Sequence, residues 1–219
     1  MIRFLLGISV CLWAQPTRGV VSTSKNWKDI LENPARDAYQ RPEELLDWIE
    51  AHVGTLRGRR VYDLGAGTGY YAWRMVRRGA IVIAADIDDA LLRYMERRRD
   101  SLGFSPQQWE VRKTPPDRPA IAPREAEWVL MADVYHHLPN RIAYLKSLHA
   151  ALPEEGMLIF VEWAPRESPV GPPLSHRLFP AQVESELQAA GFEVFRLEET
   201  LLPYHYILIA KKSNPSTKP

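Results

Sequence analysis

Three glycines alternate with other residues directly after a short apolar run that contains an acid. The segment is VYDLGAGTGY, residues 61–70, in which the glycines are Gly65, Gly67 and Gly69. Glycine has no Cβ, so its backbone can approach a bound molecule closely and can adopt positive φ angles without strain. This pattern predicts a loop that binds a nucleotide-like ligand.

The spacing of the glycines narrows the class of ligand. The dinucleotide fingerprint GxGxxG requires a third glycine where this sequence has Tyr70, and it places a pyrophosphate at a helix N-terminus. Here the spacing is GxGxG, and Asp63 precedes the first glycine by two residues. A carboxylate there would repel phosphate but can accept hydrogen bonds from a cation or from hydroxyls. The pattern therefore indicates a nucleoside without phosphates.

A second acid ends the next apolar run. Residues 80–88, AIVIAADID, are typical of a buried parallel strand, and Asp86 falls at its end, where an acid can bind ribose hydroxyls. Asp63-x-Gly65-x-Gly67-x-Gly69 followed by Asp86 resembles motif I and the second strand of the class I S-adenosylmethionine-dependent methyltransferases. The resemblance covers about residues 41–211.

The resemblance implies a fold, a cofactor and an activity. The implied fold is α/β, a Rossmann-like doubly wound sheet of seven strands, mostly parallel with an antiparallel C-terminal strand. The implied activity is methyl transfer from S-adenosyl-L-methionine to a small molecule. Asp63 would orient the cofactor's ammonium group, and Asp86 would hold both ribose oxygens. The cofactor-binding residues that it implies are Asp63, Gly65, Ala66, Gly67, Gly69, Asp86, Ile87 and Asp133.

The segment after the third strand departs from the family pattern. The family usually places an acid there to meet the adenine amino group, whereas this chain has VRKTPPD at residues 111–117. Asp117 could serve if the loop folds back, and the alternative is an exposed loop acid. The group that contacts adenine stays open.

The segment DVYHHLP, residues 133–139, resembles the family's segment after strand four, which commonly faces the methyl group. Adjacent side chains in an extended turn point apart, so we expect one histidine to face the substrate. We predict His136 as the polar contact or base, His137 as a structural partner, and Asp133 and Tyr135 as further catalytic candidates. Two neighbouring histidines without spaced carboxylates or cysteines make a poor metal site, so no metal is predicted.

Further candidates lie on the substrate side. Glu162 falls at the end of the fifth strand, and the proline-rich loop 164–180 is typical of a lid or binding element. Within it, the segment that contains His176 and Arg177 resembles an element of a bacterial methyltransferase subgroup. A surface loop is the alternative.

A similar element precedes the first helix of the domain, which opens at Pro42. Arg36, Tyr39 and Gln40 lie where an N-terminal segment can fold over the cofactor and place a cation near its carboxylate. Again the alternative is a surface loop. Three histidines outside the motifs, His52, His149 and His205, are predicted to be structural.

Composition and charge limit the partners. The 28 lysines and arginines nearly balance the 27 acids, giving a net charge of +1, so no electrostatic footprint predicts nucleic acid as a partner. We therefore expect a small-molecule substrate, and the oligomeric state stays open. Cys11 is the one cysteine, which excludes an internal disulfide and a cysteine-ligated metal site.

The N-terminus resembles a short secretory signal. Residues 1–18 place one arginine before an apolar run that is too short to span a bilayer, so no stable membrane insertion is expected. Export to the periplasm or medium is predicted, with a cytoplasmic location as the alternative because the cofactor is made inside cells. The predicted domains are this segment, an extension over 19–40, the methyltransferase domain over 41–211 and a disordered tail over 212–219.

Two other functions stay open. An NAD(P)-binding oxidoreductase shares the sheet architecture, although Tyr70 and a predicted closing hairpin over 192–210 count against it. A non-catalytic S-adenosylmethionine-binding protein is the second alternative. The acceptor atom, whether O, N, C or S, is beyond the sequence.

Overall fold

The computed structural model describes residues 24–213, with side chains from Trp27 onward. The signal-like segment 1–18 lies outside the described residues. The seven strands are β1 Arg60–Leu64, β2 Ile81–Asp86, β3 Trp109–Lys113, β4 Trp128–Ala132, β5 Met157–Trp163, β6 Phe192–Glu198 and β7 His205–Lys212. The helices are α1 Ser24–Leu31, α2 Arg36–Gln40, α3 Pro42–Val53, α4 Ala72–Arg77, α5 Asp89–Ser101, α6 Arg141–Ala151 and α7 Pro180–Ala189. Among the described residues, no helix has the length and apolar content to cross a bilayer.

All seven strands form one sheet in the order β3-β2-β1-β4-β5-β7-β6. The first five strands are parallel, and β7 is antiparallel to both β5 and β6. The predicted doubly wound, mostly parallel sheet with an antiparallel C-terminal strand is confirmed. The strand order reverses between β1 and β4, which is where open α/β sheets bind ligands.

Helices cover both faces of the sheet because every central strand is apolar on both sides. On β1, Val61 faces the layer that contains α3, α4 and α5, and Tyr62 faces the layer that contains α6 and α7. Side chains alternate in this way along each strand. The sheet is thereby buried, and its carboxyl edge is left to carry the site.

The C-terminal hairpin is longer than the sequence predicts. Strand β7 runs to Lys212, whose Nζ donates a hydrogen bond of 2.8 Å to the carbonyl of Leu152. The predicted disordered tail over 212–219 therefore starts too early, because pairing with β6 and this contact hold Lys212 in the sheet. Residues 214–219 lie outside the described residues.

Gly69 lets the start of α4 approach the sheet. Its φ angle is +76°, and an added Cβ would lie 2.8 Å from Cη2 of Trp109, closer still to Cζ2, and 3.3 Å from Cγ of Met95. Gly103 has a similar φ angle of +75° but no atom within 4 Å of the added Cβ. Both positions therefore require a positive φ angle, but only at Gly69 would an added side chain collide with packed core atoms.

We expect Gly69→Ala to lower the free energy of unfolding by about 2 kcal/mol more than Gly103→Ala, because only the first forces a side chain into a packed core. Urea unfolding of both variants and the unchanged protein measures the difference. Equal losses in the two variants would show that Trp109 moves aside without cost.

Candidate cofactor and active site

A cavity of about 400 Å³ lies at the carboxyl ends of β1, β2 and β4. The parallel strands bring these ends to the same edge of the sheet, at the point where the strand order reverses. The predicted cofactor residues that line it are Asp63, Gly65, Ala66, Gly67, Asp86, Ile87 and Asp133. The structure thus brings together all of the predicted cofactor residues except Gly69.

Gly69 was predicted to bind the cofactor, and the structure corrects this prediction. It does not line the cavity, because it packs against Trp109 and Met95 on the far side of the loop. The other two glycines do form the cavity wall. An added Cβ would lie 2.5 Å from Cγ2 of Val134 at Gly65 and 2.9 Å from Cδ1 of Leu31 at Gly67. Both have positive φ angles, so bare backbone is what the loop offers to a ligand.

Asp63 is buried in this cavity with an incomplete set of partners. Asp63 is 2% exposed, and among the described residues its Oδ2 has no hydrogen-bond partner. Burial, followed by the nearby Asp86 carboxylate, raises the pKa of Asp63 to about 7, and Arg36 opposes this shift. A buried carboxylate without partners is costly, so the site favours a ligand that brings a positive charge to Asp63.

Asp86 has its partners supplied by the backbone. Its Oδ2 accepts a hydrogen bond of 2.8 Å from the N–H of Gly67, and its Oδ1 accepts one of 3.0 Å from the N–H of Asp88. Burial raises the pKa of Asp86 although these N–H groups oppose the shift. The glycine loop therefore fixes the orientation of the carboxylate, and its remaining lone pairs are available to ligand hydroxyls.

Asp133 follows β4 and is held by side chains from α2 and β7. Its Oδ2 accepts a hydrogen bond of 2.6 Å from Nε2 of Gln40, and its Oδ1 accepts one of 2.9 Å from Nε2 of His205. Arg36 lies 3.7 Å from Oδ2. Burial disfavours the charge, but His205 and Arg36 outweigh it and lower the pKa of Asp133. With both oxygens engaged and a lowered pKa, Asp133 is poorly suited to the predicted role of catalytic base.

The segment before α3 belongs to the site. Arg36 is buried and lines the cavity, with its guanidinium 4.1 Å from the centre of the Tyr70 ring and a hydrogen bond of 3.2 Å to the carbonyl of Leu31. Gln40 is fully buried, and Tyr39 stacks on the ring of His205 at 6.2 Å. Arg36 and Gln40 are therefore not surface-loop residues, and the extension closes one side of the cavity.

The two histidines after β4 are oriented opposite to the prediction. His136 shares a hydrogen bond of 2.7 Å between its Nδ1 and Oε2 of Glu162, and the two side chains are 3% and 1% exposed. His137 lines the cavity instead. The prediction assumed an extended turn, but Tyr135–His137 form a 3₁₀ turn, in which successive side chains point about 120° apart. The carboxylate at the end of β5 holds His136 inside.

The environments of the two rings shift their pKa values in opposite directions. Burial disfavours the charged form of His136, but the Glu162 carboxylate outweighs it and raises the pKa of His136. Burial and the adjacent His136 lower the pKa of His137 to about 4. The ring centroids are 4.0 Å apart, so a charge on one disfavours a charge on the other. His137 is therefore uncharged at neutral pH.

Two more residues that were predicted to face the reaction lie in structural surroundings. Tyr135 is fully buried and donates a hydrogen bond of 2.6 Å to Oε2 of Glu186, so it lies in the core and not in the cavity. Glu162 is occupied by His136 and by the N–H of Tyr135. These contacts correct the catalytic prediction for Tyr135 and the substrate-side prediction for Glu162, since neither side chain reaches the cavity.

Arg177 holds the loop after β5 in place. It is buried, and its guanidinium donates to the carbonyls of Ala164 at 3.1 Å and Arg166 at 2.6 Å and to three further groups of the same loop. Its predicted substrate contact is corrected, because the loop itself uses the donors. His176 lies exposed on a 3₁₀ turn of this loop, and a substrate contact there stays a prediction.

Several lining residues were not singled out from the sequence. They are Trp27, Leu31, Tyr70, Tyr71, Leu91, Thr114, Pro115, Pro116, Leu138 and Tyr144. Thr114, Pro115 and Pro116 directly follow β3, where the fold expects a ligand-contacting loop, while Asp117 is exposed and pairs with Arg118. Their position directly after β3 is the sequence feature that indicates a contact with the ligand.

The charges that line the cavity fit the predicted cofactor. Among the described lining residues, four carboxylates, those of Asp63, Asp86, Asp88 and Asp133, accompany one guanidinium, that of Arg36. Such a set suits a ligand with cationic groups, hydroxyls and a single carboxylate. It disfavours a pyrophosphate, whose charges would face these acids.

Comparison with known proteins agrees with this geometry. Residues 38–204 match the model of a methyltransferase domain. The chain is 31% identical over 120 residues to a tRNA U34 carboxymethyltransferase of Chromohalobacter salexigens, covering 52% of this chain and 36% of that protein. It is 28% identical over 118 residues to a ubiquinone biosynthesis O-methyltransferase of Acinetobacter baylyi, covering 52% and 48%. The chain thus spans less than half the length of either relative.

Solved structures share the fold. A SAM-dependent methyltransferase from Aquifex aeolicus is 23% identical, with a TM-score of 0.77 over 87% of this chain and 98% of that one. A magnesium protoporphyrin IX methyltransferase from Synechocystis PCC 6803, solved with bound SAM, is 20% identical, with a TM-score of 0.63 over 90% and 87%. At these identities the likeness establishes the fold alone.

The binding of S-adenosylhomocysteine is expected to strengthen as the pH rises through about 7, because protonated Asp63 has no charge to offer an ammonium group. Below that pH the dissociation constant should rise by about tenfold for each unit that the pH falls. Titration calorimetry across this range measures the dependence.

Asp63→Asn should bind weakly and lack the acid limb of this profile. Asp117→Asn is the matched control, because Asp117 is exposed and does not line the cavity. An acid limb that persists in Asp63→Asn would assign the titration to another group.

Proposed function

The chain belongs to the methyltransferase domain family, and from that premise we propose that it transfers a methyl group from S-adenosylmethionine to a small-molecule acceptor. The observation that carries the proposal is the cavity at the carboxyl ends of β1, β2 and β4, where Asp63 retains an unpartnered oxygen beside the bare backbone of Gly65 and Gly67. This arrangement fits an ammonium-bearing nucleoside without phosphates.

Three side chains would hold the donor. Asp63 offers its carboxylate to the ammonium group, Asp86 offers lone pairs to the ribose hydroxyls, and Arg36 offers its guanidinium to the carboxylate. When bound, S-adenosylmethionine supplies a methyl group that is carried by a sulfonium. The sulfur then leaves as a neutral thioether. The task of the chain is then to align the acceptor with that group and to exclude water.

The acceptor side is the wall formed by Val134, His137 and Leu138. His137 is uncharged at neutral pH, so it neither repels the sulfonium nor competes with it for the carboxylates. Its ring can accept a hydrogen bond from an acceptor that must lose a proton. His137 therefore replaces His136 as the candidate for contact with the acceptor.

The charge balance favours a small molecule over RNA. The net charge of +1 supplies no excess of cations for a phosphate backbone. A relative named for tRNA makes RNA the alternative that the test must include.

Export remains a separate proposal, because residues 1–18 lie outside the described residues. N-terminal sequencing of the protein from its own host decides it. A processed N-terminus in the periplasm or medium supports export, and an intact Met1 in the cytosolic fraction contradicts it.

Calorimetry and a turnover screen test the proposed function. We expect the purified protein to bind S-adenosylhomocysteine and not NAD, and to methylate a member of a metabolite panel in preference to total tRNA. Binding of NAD alone would favour an oxidoreductase. Binding of S-adenosylhomocysteine without turnover on either panel would favour a non-catalytic cofactor-binding protein, and turnover on tRNA alone would make RNA the acceptor.

Substitution of the two histidines tests which of them faces the acceptor. His137→Gln should lower kcat by about one hundredfold on the acceptor that the screen identifies, with little change in the affinity for S-adenosylhomocysteine. His136→Gln should mainly lower the free energy of unfolding, because it disrupts the buried pair with Glu162. Full turnover by His137→Gln would remove His137 from the chemistry.

A further inference from the structure

Asp133 and Arg36 lie close together but do not form a close ion pair. The shortest distance between the guanidinium and the carboxylate is 3.7 Å, from Nη2 to Oδ2, although both side chains are largely buried. Charge-assisted hydrogen bonds between such groups are shorter, about 2.7–2.9 Å, and buried pairs favour them. Some other contact must hold the two charges apart.

His205 is the first of two donors that occupy Asp133. It begins β7, is fully buried, and donates from Nε2 to Oδ1 of Asp133 at 2.9 Å. Its ring is packed between aromatic neighbours, with ring centroids 4.1 Å from Trp163 and 6.2 Å from Tyr39. Its Nδ1 is buried without a described partner, so the hydrogen belongs on Nε2, where it has an acceptor.

Gln40 is the second donor. Its Oε1 accepts a hydrogen bond of 2.6 Å from the hydroxyl of Tyr71, which fixes the orientation of the amide and points Nε2 at Asp133. Nε2 of Gln40 also lies 3.4 Å from Nε2 of His205, so the two donors converge on one carboxylate. Asp133 itself has a φ angle of +58°, so its backbone is held in a conformation that costs a non-glycine residue free energy.

The guanidinium of Arg36 keeps other contacts that turn it toward the cavity. It lies over the ring of Tyr70 and donates to the carbonyl of Leu31, and neither contact neutralises its charge. If Asp133 lost a donor, its free oxygen would be available to Arg36. A close pair would then form and withdraw the guanidinium from the cavity.

We propose that His205 is a positioning residue which, together with Gln40, occupies the Asp133 carboxylate and so keeps Arg36 available for the carboxylate of the bound cofactor. The inference rests on the proposed function, because Arg36 has this role only if the ligand carries a carboxylate. It gives a functional reason for the buried polar cluster that joins α2, β4 and β7.

Two ligands separate this role from a general contribution to folding. S-adenosylhomocysteine carries the amino acid end with its carboxylate, whereas 5′-methylthioadenosine shares the nucleoside and lacks that end. His205→Leu should weaken the binding of S-adenosylhomocysteine by about tenfold and leave that of 5′-methylthioadenosine within about twofold, as measured by calorimetry. His205→Gln keeps an N–H donor and should restore most of the affinity.

Two further variants complete the design. Gln40→Leu removes the other donor from a different element, so it should show the same selective loss even if His205→Leu fails to fold. His149→Leu is the matched control, because His149 lies on α6 against Phe192, away from the cavity, and should bind both ligands as the unchanged protein does.

The outcomes are distinguishable. Failure of the unchanged protein to bind S-adenosylhomocysteine would overturn the proposed function itself. If the unchanged protein binds, then equal loss of both ligands in the variants, or no loss of either, would overturn the positioning role and leave the proposed function standing. Selective loss with rescue by His205→Gln supports it.

Discussion

Three carboxylates gathered at the carboxyl edge of the sheet, two of them buried and one partly buried, are the constraint on which the rest of the site depends. Asp63, Asp86 and Asp133 end or follow β1, β2 and β4, and all three line one cavity. Like charges in a low dielectric destabilise one another, so each needs compensation. Asp86 accepts hydrogen bonds from backbone N–H groups, and Asp133 accepts them from His205 and Gln40. Asp63 keeps one buried oxygen without a partner among the described residues, and its pKa is raised to about 7. The site is completed by a ligand that brings a cation.

The segment that precedes α3 supplies cavity-lining residues that the strands of the sheet do not supply. The match to the methyltransferase model begins at residue 38, yet Trp27, Leu31 and Arg36 line the cavity. Arg36 is the one guanidinium among the described lining residues, and Leu31 packs against the glycine loop at Gly67. Residues of α1 and α2 therefore add a wall to the cavity at the sheet edge, and the extension belongs to the site.

The sequence predicts the parts of the site that depend on local pattern. An apolar strand, Asp63 and the alternating glycines lie within ten residues, so placing Asp63 and Asp86 at the site required only the rule about strand ends, whereas their roles toward the cofactor were what the family resemblance implied. Two of the wrong predictions depend on contacts between segments that are distant in the sequence. Gly69 is needed by Trp109, which lies on β3, and His136 is turned inward by Glu162, which lies on β5. No periodicity within a single segment carries that information.

His205 shows the same limit. Its contact with Asp133 spans 72 residues of chain and exists because β7 pairs with β5 in an antiparallel register that places His205 opposite Trp163. No local sequence feature distinguishes a strand histidine that donates a hydrogen bond to a distant carboxylate from one that only packs in the core. The strand could be predicted, whereas its register and the residue that it meets could not.

We propose that these acids and Arg36 together bind a phosphate-free, cationic nucleoside. A crystal structure with S-adenosylhomocysteine tests it most directly. We expect the ligand's ammonium group within hydrogen-bond distance of the Asp63 carboxylate, its ribose hydroxyls at Asp86 and its carboxylate at Arg36. A ligand bound elsewhere, or bound here with no cation at Asp63, would contradict it.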